Sequence, residues 1–586
     1  MVRKSLSTDK VCFVIVLQWI LFAYSVVAAD TPQIPAPEGR PNYCGVWGIW
    51  GGERVSREGR PWFKGVVVTA TWKGIERRPG EFDFSEFDSK IQRVVDNGLS
   101  AMVLIYHADQ SPDWIYDHGV ERVETDEPSP RRRIHPYFLD PDFKPLLSRL
   151  IHATAEHVAA YPPEVRGKIV GVQCPTGKSG DPQPYNGKPL DAKYRINLHD
   201  DAWVDWTLGM FPVYREAYAQ RNLDVFLLFK GPNPQSNDWL MRQMPDSWRK
   251  PHAIAQGYQF NNEIRVMSEL YPRTRRRIDG VLIRTRGELD HTADKGRNWF
   301  NAAPVWNVYW AGLWNLTYGI DIWNQLTSAL EDDRFVPAFE FVSRYAGYKT
   351  AAESPGAWIA LRDGLDCADR ERFREDRFGK LEDLGPWGCS SNVERYQAIA
   401  GEFAEFGALN EDLTKIGVSD LKTRGALALN DVGFNIWTDN YGMFLTQIDP
   451  NGTSRGYWRV GSRDEPYGRF ARGFEHATGR NAMHFRLDDG FFADTGEATP
   501  RRVRLRIVYF DRGTGQWALR YDAVADANKT AQTVRKSDSG RWKEILVDIA
   551  DGRFAGRGEH GADISLVNVD DENDIFHMIE VIRAAQ

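Results

Sequence analysis

The 586-residue chain is 42% hydrophobic and 26% charged, with 51 Gly and 31 Pro, which excludes a disordered, collagen-like or disulfide-scaffold protein and leaves room for two or three globular domains. Its 74 basic and 81 acidic residues give a net charge of -7, so no global positive field points to nucleic acid. Aromatic residues stand out at 12%, a supply of flat apolar faces that serves cores and also surfaces gripping amphipathic ligands.

Residues 1–29 begin with basic Arg3, Lys4 and Lys10, continue through an apolar run over 11–27, and end in Val27, Ala28 and Ala29 before Asp30. This is the layout of a secretory signal cleaved after Ala29, with a retained membrane anchor as the competing reading. No later stretch approaches the length of a membrane span, so the expectation is a secreted or periplasmic protein with no membrane association after cleavage. Export permits disulfides, and Cys367 with Cys389 frames a short loop containing Asp, Arg and Gly, making them the expected pair. The chain has no C-x-x-C, no H-E-x-x-H and no Asp-rich calcium loop, so neither metal nor cofactor is expected.

After a Pro-rich lead, short apolar runs alternate with longer amphipathic ones. The predicted strands are GVWGIW from Gly45, KGVVVTA from Lys64, SAMVLIYHA from Ser100, KIVGVQ from Lys168, DVFLLFKG from Asp224, HAIAQGY from His252, DGVLIRTRGE from Asp279 and GIDIWN from Gly319. Between them FSEFDSKIQRVVDNG, DFKPLLSRLIHATAEHVAAY, DDAWVDWTLGMFPVYREAYAQR and WNVYWAGLWNL carry apolar residues at helical spacing. Eight such units over 30–330 have the rhythm of a (β/α)8 barrel, whose active site lies at the C-terminal strand ends. A doubly wound open sheet is the alternative, but the Gly-rich turn that announces one is missing after the first strand. Residues 331–424 read as a helical connection, and 425–586 as an all-β sandwich of alternating strands separated by turns such as DPNG, DRGTG and SDSG.

Chemistry is sought at the strand ends. GVQCPTGKS at 171–179 is not a phosphate loop, because five residues rather than four separate Gly171 from Gly177. It is instead the loop after the fourth strand, where Pro175, Gly177, Gly180 and Pro182 make a structured turn and Asp181 is the first carboxylate. The seventh strand ends in IRTRGELD, placing Glu288 at a C-terminal strand end, either as a catalytic group or as the buried partner of Arg284 or Arg286. The other ends supply Trp72, Glu76, His107, Asp109, Lys230, Asn233, Gln256, Tyr258, Glu263, Trp323 and Asn324. This mixture of carboxylates, amides and aromatic faces suits a polyol ligand.

The segment WKGIERRPGEFDFSEFD at 72–88 resembles a pattern common near the second strand of barrel glycoside hydrolases of the large retaining clan that includes the β-galactosidases. PDWIYDHG at 112–119, Gln173 closing the fourth strand and Glu288 closing the seventh extend the resemblance over the first 330 residues or so. It implies a carbohydrate substrate and two carboxylates, an acid/base after the fourth strand and a nucleophile after the seventh, about 5 Å apart for retention. Glu288 takes the nucleophile's place, with arginine neighbours that favour its ionised form. The departure is at the fourth strand, where Cys174, Pro175, Thr176 and Gly177 replace the Asn-Glu of the pattern. Asp181 brought back by the turns is the leading acid; Glu263 or Asp109 could replace it, or the acid is lost. The expected substrate contacts are Trp72, Glu76, His107, Gln173, Lys178, Tyr258, Glu263, Arg284, Arg286 and Trp323. Lys178, Arg265, Arg284 and Arg286 suggest sulfate or uronate groups on a galactan-type substrate, with structural ion pairs as the competing account. In the sandwich Trp437, Tyr441, Trp458, Tyr467 and Trp517 could form a second sugar platform. The reading is thus a secreted retaining glycoside hydrolase, with a noncatalytic carbohydrate-binding protein on a degenerate barrel as the alternative.

Overall fold

The computed structural model describes residues 40–180, 182–233, 236, 248–249, 277–278, 281–282, 285–289, 304–317, 319–365, 369–381, 393–408, 440–492 and 499–584. Eight parallel strands follow one another around a sheet: β1 (Gly45–Ile49), β2 (Phe63–Thr71), β3 (Ser100–Tyr106), β4 (Ile169–Gln173), β5 (Phe226–Phe229), β6 (Trp248–Arg249), β7 (Arg286–Leu289) and β8 (Ile322–Leu326). The pairing order is β7, β8, β1, β2, β3, β4, β5, β6, which is the sequential order of a (β/α)8 barrel. Trp47, Ile49, Val67, Met102, Leu104, Leu228 and Ile322 pack together as its interior cluster. Large rings fit there because small residues face them: a Cβ on Gly65 would lie 2.6 Å from the Trp47 ring.

Helices cover the outside. They are α1 (Ser85–Asp96), α2 (Phe143–Ala160), α3 (Asp201–Ala219), α4 (Pro304–Thr317) and α5 (Val336–Tyr345). Phe87, Ile91 and Val94 of α1, and Phe143, Leu147, Leu150, Ile151 and Val158 of α2, recur at three- and four-residue intervals and are all buried. The β1–β2 connection holds only a single 3-10 turn, Gly52–Arg54, in place of a helix. Helix α4 is largely apolar, and its described side chains between Val305 and Leu316 are all buried. Trp323 and Val342 face its Gly312, while Trp310 meets Tyr441, Phe470 and His577 from the second domain. No helix among the described residues is long and apolar enough to cross a membrane.

One predicted strand differs in the structure and another cannot be compared with it. Strand β6 is described at Trp248–Arg249, whereas HAIAQGY lies outside the described residues. Only the last part of DGVLIRTRGE enters the barrel as β7; Val281–Leu282 pairs antiparallel with Arg277–Ile278. Cys367 and Cys389, the expected disulfide, also lie outside the described residues.

The second domain is a two-sheet antiparallel sandwich. Its strands in chain order are β9 (Gly356–Ala360), β10 (Tyr441–Met443), β11 (Leu445–Ile448), β12 (Arg455–Trp458), β13 (Phe470–Gly473), β14 (Ala482–Leu487), β15 (Arg501–Asp511), β16 (Gln516–Tyr521), β17 (Lys529–Arg535), β18 (Arg541–Gly552), β19 (Ile564–Asn568) and β20 (Ile575–Arg583). One sheet is built on β20, which pairs with β9, β13 and β15. The other has the order Leu445–Ile448, Ala482–Leu487, Ile564–Asn568, Gln516–Tyr521, Lys529–Arg535. Leu445, Phe485, Leu505, Ile507, Trp517, Leu566, Phe576 and Ile579 fill the space between them. Strand β9 comes from within 331–424, the stretch whose pattern reads as helical; buried on all five residues, it shows no alternation to betray a strand.

A buried ion cluster joins the domains. Glu580 on β20 accepts from Arg344 of α5 at 3.0 Å, from Tyr345 Oη at 2.5 Å and from Arg506 at 3.0 Å. The two guanidinium groups hold its carboxyl below the usual range against the opposing effect of burial. Glu580→Gln is expected to cost about 2 kcal/mol, the worth of charge-assisted bonds with partly exposed arginines. Urea unfolding measures this, and an unchanged midpoint would contradict the clamp.

Candidate functional site

The C-terminal end of the barrel carries a chain of polar contacts from β4 to β7. Arg286, fully buried, donates from Nη1 to Gln173 Oε1 at 2.7 Å. Gln173 in turn donates from Nε2 to the Gly180 carbonyl at 3.1 Å, folding the loop after β4 back onto its own strand. Gly180 sits at φ 78°, and a Cβ there would fall 2.5 Å from the Gln173 amide nitrogen, so only glycine closes this turn. Pro175 is held from two sides. Its carbonyl accepts from His107 Nε2 at 3.1 Å and from Tyr214 Oη at 3.0 Å. Trp203 Nε1 donates to the Pro182 carbonyl at 2.9 Å beyond the turn.

Strand β7 pairs with β8 so that Arg286 stands opposite Ile322 and Glu288 opposite Asn324, and β1 continues the row with Trp47 opposite Asn324. The two-residue period of a strand puts positions 286 and 288 on the same side of the sheet. Asn324 is fully buried, and neither its amide oxygen nor its nitrogen has a hydrogen-bond partner among the described residues. An unpaired buried amide is costly and calls for an explanation such as a ligand.

The other expected contacts fall elsewhere. Trp72 and Glu76 form a structural knot: Glu76 is fully buried, accepts from Trp72 Nε1 at 2.8 Å and from the Gly80 amide at 2.7 Å, and pairs with Arg149. The W-x-x-I-E segment therefore packs the β2 loop rather than touching a ligand. Trp323 turns outward, fully buried against Phe339, because alternation sends its neighbour Asn324 inward. His107 is locked under the β4 loop. Lys178 opens the 3-10 turn Lys178–Gly180, with its amide bonded to the Gln183 carbonyl at 2.7 Å. Asp181, Tyr258, Glu263, Arg265 and Arg284 lie outside the described residues, as does the side chain of Glu288. The basic group offered for sulfate or uronate loses Arg286, whose guanidinium is buried on Gln173. In the sandwich Tyr441, Trp458 and Trp517 are core residues, and Tyr467 stacks on His577 with its hydroxyl on Glu544. They offer no sugar platform, and Trp437 lies outside the described residues.

Between the loops after β2 and β3 lies a polar cavity of about 380 Å³ lined by Lys73, Arg77, Asp109, Ser111, Asp113, Trp114 and Arg131, among others. Asp109 is the carboxylate of interest: burial raises its pKa, opposed by a bond from Gln110 at 2.8 Å and by Arg132 3.7 Å away. Sequence reasoning missed Trp50, half-exposed at the end of β1, whose indole donates to Tyr106 Oη at 3.0 Å. Its signal was available in the chain: a tryptophan followed by Gly51 and Gly52 at a strand end.

Burial pushes His107 and His135 down to about 4, and His577 to about 3. Each titrates near 6.5 once unfolded, so between those values the unfolded state binds more protons and stability falls as pH falls. His107 contributes at most about 3 kcal/mol to that loss. The thermal midpoint is expected to drop steadily from pH 7 to pH 4, and a flat profile would refute the neutral buried imidazoles.

No protein-family model matches the sequence, and no curated protein sequence matches it. Among solved structures the chain is similar to a β-galactosidase from the psychrophilic Marinomonas ef1, with 9% identity and a TM-score of 0.32 over 51% of this chain and 59% of that one. It is similar to a psychrophilic glycoside hydrolase family 10 endo-β-1,4-xylanase, with 11% identity and a TM-score of 0.31 over 52% of this chain and 97% of that one. The native xylanase 10B of Thermotoga maritima gives 9% and 0.30 over 49% and 83%. The chain thus spans 59% of the length of the first of these. Likeness of this degree carries no residue of those enzymes onto this chain.

Proposed function

We propose that the protein is an exported glycoside hydrolase that cleaves O-glycosidic bonds of a poly- or oligosaccharide with retention, using Glu288 as nucleophile and Asp181 as acid/base. The observation that carries this reading is the bridge made by Gln173. Its amide joins the Gly180 carbonyl, one residue before Asp181, to Arg286, two residues before Glu288. The bridge ties the residue that precedes Asp181 to the strand that carries Glu288, which supports pairing these two carboxylates for a retaining mechanism that needs about 5 Å between them. On this reading the positive charge of Arg286, two residues earlier on β7, serves to keep the nucleophile ionised. Asn324, opposite Glu288 in register and unpaired, supplies donor and acceptor for a sugar hydroxyl.

A second reading gives the acid role to Asp109, whose raised pKa favours the protonated form at the wall of a cavity on the same face of the barrel. Reducing-end release from a panel of neutral and sulfated polysaccharides tests the proposal, with Asp181→Asn and Asp109→Asn separating the two acids. Absence of turnover alongside measurable binding would instead favour a noncatalytic sugar-binding protein.

A further inference from the structure

Trp50 combines two unfavourable features with a fixed position. It is a large apolar side chain with 49% of its surface exposed, whereas every other tryptophan whose side chain is described is buried or half-buried. Its backbone is left-handed at φ 49°, a region in which a bulky L-residue is an outlier. It is also fixed in place. The indole Nε1 donates to Tyr106 Oη at 3.0 Å, and the Trp50 carbonyl accepts from Thr327 Oγ1 at 3.2 Å. A strained conformation held by neighbours is found where function requires it.

The position explains the cost. Tyr106 closes β3 and packs against the barrel's interior cluster, while Trp50 follows β1. β2 lies between those strands, so the hydrogen-bonded Trp50 and Tyr106 side chains together bridge two inter-strand spacings, about 10 Å, across one side of the mouth. The register row through Glu288, Asn324 and Trp47 lies three residues, about 10 Å, below Trp50 along the strand direction. The backbone of Trp50 thus stands further toward the mouth than the row that carries Glu288.

We propose that Trp50, steadied by Tyr106, is the stacking platform of a distal subsite that holds a pyranose ring of an extended oligosaccharide away from the bond that breaks. An indole offers a flat apolar face for the C–H face of a sugar ring, and the hydrogen bond to Tyr106 removes the freedom that binding would otherwise cost. The inference rests on the glycosidase reading above and specifies its substrate as a chain of several units rather than a short glycoside.

The test measures KM and kcat of wild type, Trp50→Ala, Trp50→Phe and Trp50→Gly. The substrates are whichever of gluco-, xylo- and galactohexaose is cleaved best, and the 4-nitrophenyl glycoside of the same sugar. Trp50→Ala is expected to raise KM for the hexaose about tenfold while leaving the 4-nitrophenyl glycoside within twofold, as loss of one stacked ring predicts. Trp50→Phe should recover most of the affinity. Trp50→Gly, which relieves the left-handed backbone, should lose affinity as Trp50→Ala does yet melt no lower than wild type. An unchanged KM for the hexaose, an equal loss on both substrates, or a lowered melting temperature for Trp50→Gly would each overturn the platform. If cleavage depends on Glu288 but not on Trp50, the platform alone falls. If none of the hexaoses is cleaved and none perturbs the tryptophan fluorescence, the glycosidase reading falls and takes the platform with it.

Discussion

Glu288→Gln is expected to lower kcat by on the order of 10⁴-fold, the scale on which loss of a covalent nucleophile is felt, with the fold and melting temperature intact. The amide is isosteric but cannot attack the anomeric carbon, so the double displacement stops at its first step. Binding should survive, because Asn324 and Trp50 do not depend on the charge at position 288. A mechanism-based glycosyl inactivator should label Glu288 in the wild type, read by peptide mass spectrometry. Residual activity above a tenth of wild type, or label on another carboxylate, would remove Glu288 from the proposed role.

Asp321→Asn is expected to destabilise the protein by about 3–5 kcal/mol, the cost of leaving one member of a buried ion pair without its partner. Asp321 and Lys349 are both shielded from solvent, and Nζ lies 2.7 Å from Oδ2. The same oxygen accepts from the Thr285 amide at 2.7 Å, and Lys349 also donates to the Gly319 carbonyl at 2.5 Å. Thr285 immediately precedes β7, so this cluster anchors the strand on which Glu288 stands. Asparagine lacks the charge, so the buried ammonium of Lys349 loses the anion at position 321. Denaturant unfolding measures the loss; adding Lys349→Met should recover most of it, because the buried ammonium is removed together with the anion it faced. A destabilisation below about 1 kcal/mol would show that the pair does not hold β7.

The parts legible in the chain were those governed by local pattern. β1 to β5 lie within a residue or two of apolar runs bounded by turns, β8 within three, and α1 and α2 follow their three- and four-residue spacing. The loop after β4 is the structured turn that its Pro and Gly content predicts, with Gly180 at positive φ. Strand β9 was illegible because a strand buried on both faces has no alternation, and its partner β20 lies over two hundred residues away. Val281–Leu282 is strand, as its β-formers suggest, but it pairs antiparallel with Arg277–Ile278, and the barrel strand β7 begins at Arg286.

At the site, composition identified the residue types but not their directions. Trp323 and Asn324 are neighbours, and the register of β8 decides that the amide faces the barrel interior while the ring joins the helix layer. Glu76 looks available at a strand end, but Trp72, Gly80 and Arg149 consume both of its oxygens. Arg286 looks like a ligand for an anion until the barrel brings Gln173, 113 residues away, onto its guanidinium. The aromatic excess is mostly core, as the fully buried Trp47, Trp72, Trp203, Trp310, Trp314, Trp323, Trp358, Trp458 and Trp517 attest. The sequence by itself determined the alternation of strands and helices, the sandwich and the position of Glu288 at a strand end, because each follows from contacts within a few residues. Only the tertiary structure decided which polar groups are consumed, which amide is left unpaired and which tryptophan meets solvent, because burial and hydrogen bonding are settled between segments far apart in the chain.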